Sequence, residues 1–228
     1  MTRPMPSAPE QLVFELPHRA ALGREDFLVS DSNAAAVALV DRWPDWPVGA
    51  AVLVGPKGSG KTHLANVWLL RSAATVFDAS QISRDDVPAI ASAGAAIIED
   101  IQNLNDEAAL FHLLNLVREQ RLQILLTTDI APGDLSVALP DLMSRLKALP
   151  LASIEAPDDA LLRAVLVKLF ADRQLSVEPH VIGYVLVRME RSMSAAERLV
   201  AEADRQALVL QKRVTRAVAA AALDRLGY

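Results

Sequence analysis

Residues 55–62 read GPKGSGKT, a full match to G-x-x-x-x-G-K-[ST], set between a short apolar run, AVLVG at 51–55, and a helical pattern, THLANVWLLRS at 62–72. No other feature constrains the fold as much. Glycines at this spacing let a backbone wrap around phosphate oxygens, while its N–H groups and the following helix N-terminus supply positive potential. Gly55, Gly58 and Gly60 make the turn, with Pro56, Lys57 and Ser59 between them. Lys61 is placed to reach β and γ phosphates, Thr62 to ligate Mg²⁺, and His63 follows in the first helical turn. A phosphate loop in this setting demands a parallel sheet with its strand tips on one side.

The rest of the chain supplies such a sheet. Apolar runs recur at 74–79 (ATVFDA), 95–100 (AAIIED), 123–129 (QILLTTD) and 150–157 (PLASIEAP). Helical patterns separate them, clearest in DEAALFHLLNLVREQ at 106–120. Short continuous apolar runs alternating with helices read as buried parallel strands with crossover helices. A further helix, NAAAVALVDRW, has Asp31 or Ser32 available as its N-cap. After Pro157 only helical patterns remain: DDALLRAVLVKLFADRQ, PHVIGYVLVRM, SAAERLVAEADRQALVLQ and TRAVAAAALDRLG. The expected organisation is a leader at 1–20, an α/β nucleotide-binding domain at 21–156 and an all-helical domain at 157–228.

Composition narrows the function. Hydrophobic residues make up 52% of the 228, enough for a core, yet aromatics are only 4%, so that core rests on Ala, Leu, Val and Ile. A net charge of −5 argues against a dedicated nucleic-acid surface, though not against a local basic patch. The absence of cysteine removes disulfides and thiolate metal sites. No apolar run approaches membrane-spanning length and no secretory signal opens the chain, which makes the cytoplasm the default compartment.

A phosphate loop needs acids at a neighbouring strand tip to hold metal and prime water. Glu99 and Asp100 close AAIIED: Glu99 for the metal, one methylene longer than the usual Asp, and Asp100 as the catalytic base. The longer first acid implies loose metal geometry and slow turnover. Thr128 and Asp129, ending QILLTTD, are expected to sense the γ-phosphate or the attacking water. Polar residues at a strand end are also ordinary turn formers.

The ordered set GPKGSGKTHL, IIEDIQ, LFHLLN, ILLTTDIAP and LMSRL resembles the AAA+ domain of the replication initiator DnaA, and more closely the shortened Hda family of regulators of initiator inactivation. The resemblance spans residues 22–226. It implies a P-loop AAA+ domain, with the parallel sheet sandwiched by helices, plus a small C-terminal all-helical lid. It implies Arg145, within LMSRL, as an arginine finger acting on a neighbouring subunit's nucleotide; from the residues alone Arg145 is a surface arginine near a helix end. It implies Arg191, within RMERSMSAAERL, as the sensor arginine over the phosphates, with Arg188 the competing position. GREDFLVSDSN resembles the segment flanking the adenine, which brings in Phe27 and Leu28; Phe27 serves equally as core. The helix-turn-helix DNA-binding domain of DnaA is expected to be missing, and with it sequence-specific DNA binding.

The leader peptide QLVFELP at 11–17 completes the reading. Hda relatives carry an N-terminal peptide that docks in the sliding clamp of DNA polymerase. Gln11 fits its polar anchor, and Leu12, Phe14 and Leu16 its pocket fillers. On composition alone the same residues suit a strand folded back on the domain. The implied function is promotion of ATP hydrolysis in DnaA at the clamp, with bound ADP (or ATP) and Mg²⁺ in the chain's own site and a homodimer left open. The alternatives are an autonomous ATPase of the initiator or helicase-loader kind acting on DNA, and a scaffold without an active finger.

Overall fold

The computed structural model of the chain describes residues 27–228. Five parallel strands, β1 (Ala50–Val54), β2 (Thr75–Asp78), β3 (Ala95–Glu99), β4 (Gln123–Thr128) and β5 (Leu151–Ser153), lie in the order β2-β3-β4-β1-β5. Helices α1 (Ala34–Asp41), α2 (Lys61–Ser72), α3 (Val87–Ser92), α4 (Glu107–Gln120) and α5 (Pro140–Ala148) cover both faces. β1 is flanked on both edges and covered on both faces, so all of its residues are buried. Side chains alternate between the two faces of a strand. Ala50, Val52, Ile98, Ile124 and Leu126 therefore join α3, α4 and α5 in one core, while Ala51, Leu53, Ile97 and Leu125 join α1 and α2 in another. All three tryptophans gather in the second core, Trp46 stacked on Trp68 at 5.3 Å and Trp43 edge-on to it at 6.1 Å.

Three local expectations change. The run at 74–79 is not a buried strand: β2 is a sheet edge, with Thr75, Val76 and Asp78 exposed. The run at 150–157 gives a strand of only three residues, because β5 pairs with β1 alone and Pro150 and Pro157 at its borders donate no hydrogen bond. Asn33, not Asp31 or Ser32, precedes α1. Its side chain ties the loop instead of the helix, accepting from Ser30 N at 2.9 Å and donating to Leu28 O at 3.0 Å.

The last four helices, α6 (Asp159–Asp172), α7 (Pro179–Leu186), α8 (Met193–Leu210) and α9 (Arg216–Leu226), enclose a core of their own. Spacing makes this possible: Ala195, Ala196, Leu199, Val200, Ala203 and Ala207 form one apolar stripe on α8. Side-chain N-caps start three of the four helices. Asp158 accepts from Leu161 N, Ser192 from Ala195 N and Thr215 from Val218 N. This bundle touches the sheet body at the phosphate loop, where Met193 N donates to Gly58 O at 2.7 Å.

Candidate functional site

The phosphate loop leaves the buried end of β1 and enters α2 through two residues in the left-handed region, Gly58 at φ +78° and Gly60 at φ +108°. Only glycine adopts these without strain. Gly55 is required for a different reason: a Cβ there would stand 2.2 Å from the Ile154 carbonyl oxygen. Lys61, buried in the first turn of α2, donates to Gly55 O at 2.7 Å, Pro56 O at 3.2 Å and Asp129 Oδ1 at 2.5 Å. Its ammonium is thus held at the mouth of the loop by acceptors that a phosphate oxygen can replace. The Ser59 hydroxyl is buried within the loop and has no hydrogen-bond partner among the described residues. Pro56 and Lys57 complete the loop, Lys57 exposed, and Thr62 presents an exposed hydroxyl beside Lys61.

Gln102 was not singled out from sequence, and it connects the two acidic strand ends. Its Nε2 donates to Asp100 Oδ1 at 3.1 Å, and its Oε1 accepts from Asp129 N at 3.2 Å. A continuous polar path thus runs from Asp100 through Gln102 and Asp129 to Lys61. Asp100 itself has φ +57°, unusual for a residue with a Cβ, and its N–H donates to Thr127 Oγ1 at 3.1 Å. Glu99 ends β3, half-buried. The glutamine of IIEDIQ was the available signal, but nothing in sequence says that a 3₁₀ turn over Ile101–Asn103 folds it back onto β4.

Two expected residues are engaged in other contacts. Thr128 is fully buried, and its hydroxyl is spent on the turn, donating to Ile130 O at 2.8 Å and accepting from Ile130 N at 3.1 Å. Asp129 alone of the pair faces the loop. Arg191 donates from its guanidinium to Asp159 Oδ1 at 2.6 Å, on the exposed start of α6. The competing Arg188 lies over the Tyr184 ring. The C-terminal helices meet the loop through Ser192, Met193 and Ser194, with Ser192 Cβ only 2.6 Å from where a Cβ on Gly58 would stand. Ser192 and Ser194 stand within RMERSMSAAERL, but nothing in sequence gives their register against Gly58.

Phe27 packs edge-on against His63 with ring centroids 5.2 Å apart, and Leu28 beside it is half-buried. The aromatic pair lies at the start of α2, next to the phosphate loop. Residues 11–16, with Gln11, Leu12, Phe14 and Leu16, lie outside the described residues.

Arg145 stands apart from all of this. It projects from α5 with its guanidinium over the Phe111 ring, 5.3 Å from the centroid. With Val48, Ala50, Leu114, Val117 and Arg118 it lines a cavity of about 230 Å³. Ala50 begins β1, and the phosphate loop follows the other end of that strand. Four residue steps of parallel strand separate the two sites by about 13 Å. Among the described residues no group of three or more metal-ligating side chains occurs, and no helix is long and apolar enough to cross a membrane.

No protein-family model matches the chain. It is 25% identical over 201 residues to the chromosomal replication initiator protein DnaA of Cutibacterium acnes, a match covering 76% of this chain and 40% of that one. The chain spans about two fifths of the length of the curated initiators it matches. Its fold is similar to domain III of the DnaA protein of Thermotoga maritima, with a TM-score of 0.79 and 18% identity, covering 92% of this chain and 98% of that one. It is also similar to AMPPCP-bound DnaA from Aquifex aeolicus, with a TM-score of 0.63 and 22% identity, covering 76% of this chain and 61% of that one. The α/β body with its C-terminal helices is an AAA+ P-loop fold related to that of the initiator.

Proposed function

We propose that this chain is an adaptor of replication control that binds the sliding clamp and promotes hydrolysis of ATP held by DnaA. The observation that carries this reading is the position of Arg145, at the end of β1 opposite the chain's own phosphate loop. A guanidinium there cannot serve its own nucleotide, and it is free to serve a neighbour's. Phe111 supports its planar face, leaving N–H donors to neutralise charge developing on a transferred phosphoryl group. In well-studied NTPases such an arginine contributes about 10³ to 10⁵ in rate.

The chain's own site reads as a binding site rather than a turnover site. The left-handed glycines, the buried Lys61 and the unpartnered Ser59 hydroxyl fit the phosphates of ADP or ATP, and Phe27 with His63 and Leu28 fits the base. The nucleotide analogue bound to the Aquifex aeolicus relative supports this. Thr62 and Glu99 would hold Mg²⁺, which keeps most of its shell as water and phosphate oxygens and, when bound, neutralises phosphate charge. Asp100 is the group available as base, but its carboxylate is engaged by Gln102. Arg191, the expected sensor, is paired with Asp159 at the exposed start of α6. Bound ADP at 100 times its Kd would stabilise the fold by about 2.7 kcal/mol.

The leader supplies the tether. Residues 11–16 anchor the protein to a clamp on DNA in the cytoplasm, and tethering raises the effective concentration of the body at its target. A weak peptide contact and a weak body contact then suffice together, and a homodimer would use the same Arg145 face. The test compares the intact chain with a Gln11→Ala, Leu12→Ala, Phe14→Ala variant for hydrolysis of ATP pre-bound to DnaA, with the clamp loaded on DNA. Stimulation that depends on the intact leader is expected. Equal stimulation by both forms removes the tether from the mechanism.

A further inference from the structure

The lid carries a basic surface that the nucleotide site does not use. Tyr184 on α7 is half-buried against the lid core. Two guanidinium groups lie over its ring: Arg188, just beyond α7, at 3.9 Å from the centroid, and Arg216, the first residue of α9, at 4.4 Å. Arg188 also donates to Tyr184 O at 3.0 Å, which fixes its direction. Among the described residues neither arginine has a carboxylate in ion-pair contact. Two like charges brought to one ring without a counter-ion repel each other, and among the described residues the tyrosine is what both of them contact.

The surrounding sequence extends the patch. Lys212 and Arg213 are exposed in the α8–α9 connection, which the buried Val214 pins to the lid core just before Arg216. No carboxylate occurs at residues 206–223 or at 179–189. The flanking Glu190 faces Arg198 at 3.6 Å, so its charge is already engaged. The N-terminal amides of α9 add positive potential at the same place. In a chain of net charge −5 this is a concentrated positive surface.

We propose that Arg188, Arg216, Lys212 and Arg213 bind the phosphate backbone of duplex DNA without reading its sequence. The arginines cover the tyrosine ring, so the patch does not offer an aromatic face for stacking an unpaired base. What it offers outward is planar guanidinium donors, which match phosphate oxygens. Backbone contacts of this kind position a protein on DNA and carry no sequence information. The site goes beyond the adaptor reading and does not depend on it, since it uses neither the nucleotide, nor Arg145, nor the leader.

The experiment measures anisotropy of a fluorescent random-sequence duplex with the full chain as salt is varied. At about 50 mM salt a Kd on the order of 10⁻⁵ M is expected, with a log–log salt slope no steeper than about −3.6, the value that four phosphate contacts give. Arg188→Glu with Arg216→Glu should weaken binding at least about ten-fold, as should Lys212→Glu with Arg213→Glu, a pair that leaves the tyrosine packing untouched. Arg145→Ala should leave it unchanged. Circular dichroism melts establish that each variant folds. Absence of duplex binding, or binding that survives both charge reversals, overturns the proposal. So does tighter binding of poly-glutamate or of phosphatidylserine vesicles than of the duplex, which would assign the patch to an acidic protein segment or a membrane surface.

Discussion

At the C-terminal end of β1 the backbone turns through left-handed glycines, buries a lysine among carbonyl oxygens and receives the lid through a main-chain hydrogen bond. At the N-terminal end of the same strand, an apolar cavity is flanked by Arg118 and Arg145, and Phe111 supports the latter. The first end is closed on itself: Lys61 and Gly58 already have partners within the chain. The second end carries a cation held over a ring, with no carboxylate in ion-pair contact among the described residues. On the proposed function, one strand therefore separates a site that retains a ligand from a site that acts outward, and the two should respond independently to mutation.

The largest effect that tests this separation comes from Lys61→Ala. Removing a buried, hydrogen-bonded charge that faces the phosphates should weaken ADP binding by about 10²- to 10³-fold by calorimetry. The same variant should keep Arg145 in place. If saturating nucleotide restores stimulation of DnaA to the unmutated level, the two ends are independent; a defect that nucleotide cannot restore joins them. Next comes Gly58→Ala. A Cβ at φ +78° and 2.6 Å from Ser192 Cβ forces the loop or the lid to move, at a cost of about 1–3 kcal/mol in thermal unfolding.

A smaller effect is expected inside the lid. Glu202 on α8 accepts from Arg205 and Gln206 and faces Arg225 of α9. Burial raises the pKa of its carboxyl, but these hydrogen bonds and charges outweigh burial and hold it below the usual carboxylate value. That contribution is present above the unfolded carboxylate pKa of about 4.3 and lost as pH falls through the lower folded value. Glu202→Gln should cost about 1 kcal/mol near neutral pH, with ADP affinity unchanged. The smallest effect is expected from Arg191→Ala. Its exposed pair with Asp159 predicts less than about a two-fold change in ADP affinity. A ten-fold loss would return Arg191 to the phosphates and erase the contrast between the two ends.

How much was legible from sequence follows the same geography. The phosphate loop was readable because its glycines, lysine and flanking strand are contiguous, and contiguity fixes geometry. The parallel sheet was readable because buried strands leave apolar runs, but β2 shows the limit: an edge strand has a similar composition and only its neighbours make it an edge. Thr128 and Asp129 are adjacent in sequence and diverge in space, because the turn takes one hydroxyl and leaves one carboxylate to Lys61. Gln102 and Ser192 escaped notice because their roles arise where two distant segments meet. The contact of Arg191 with Asp159 was not legible, because it joins two segments 32 residues apart.

The most direct test is single-turnover hydrolysis of ATP pre-bound to DnaA, with clamp on DNA, comparing this chain with its Arg145→Ala variant at matched ADP occupancy. Action in trans requires that the variant bind ADP and clamp normally and lose stimulation by on the order of 10³-fold. Stimulation that persists in the variant would contradict the role of Arg145 as the outward-acting group.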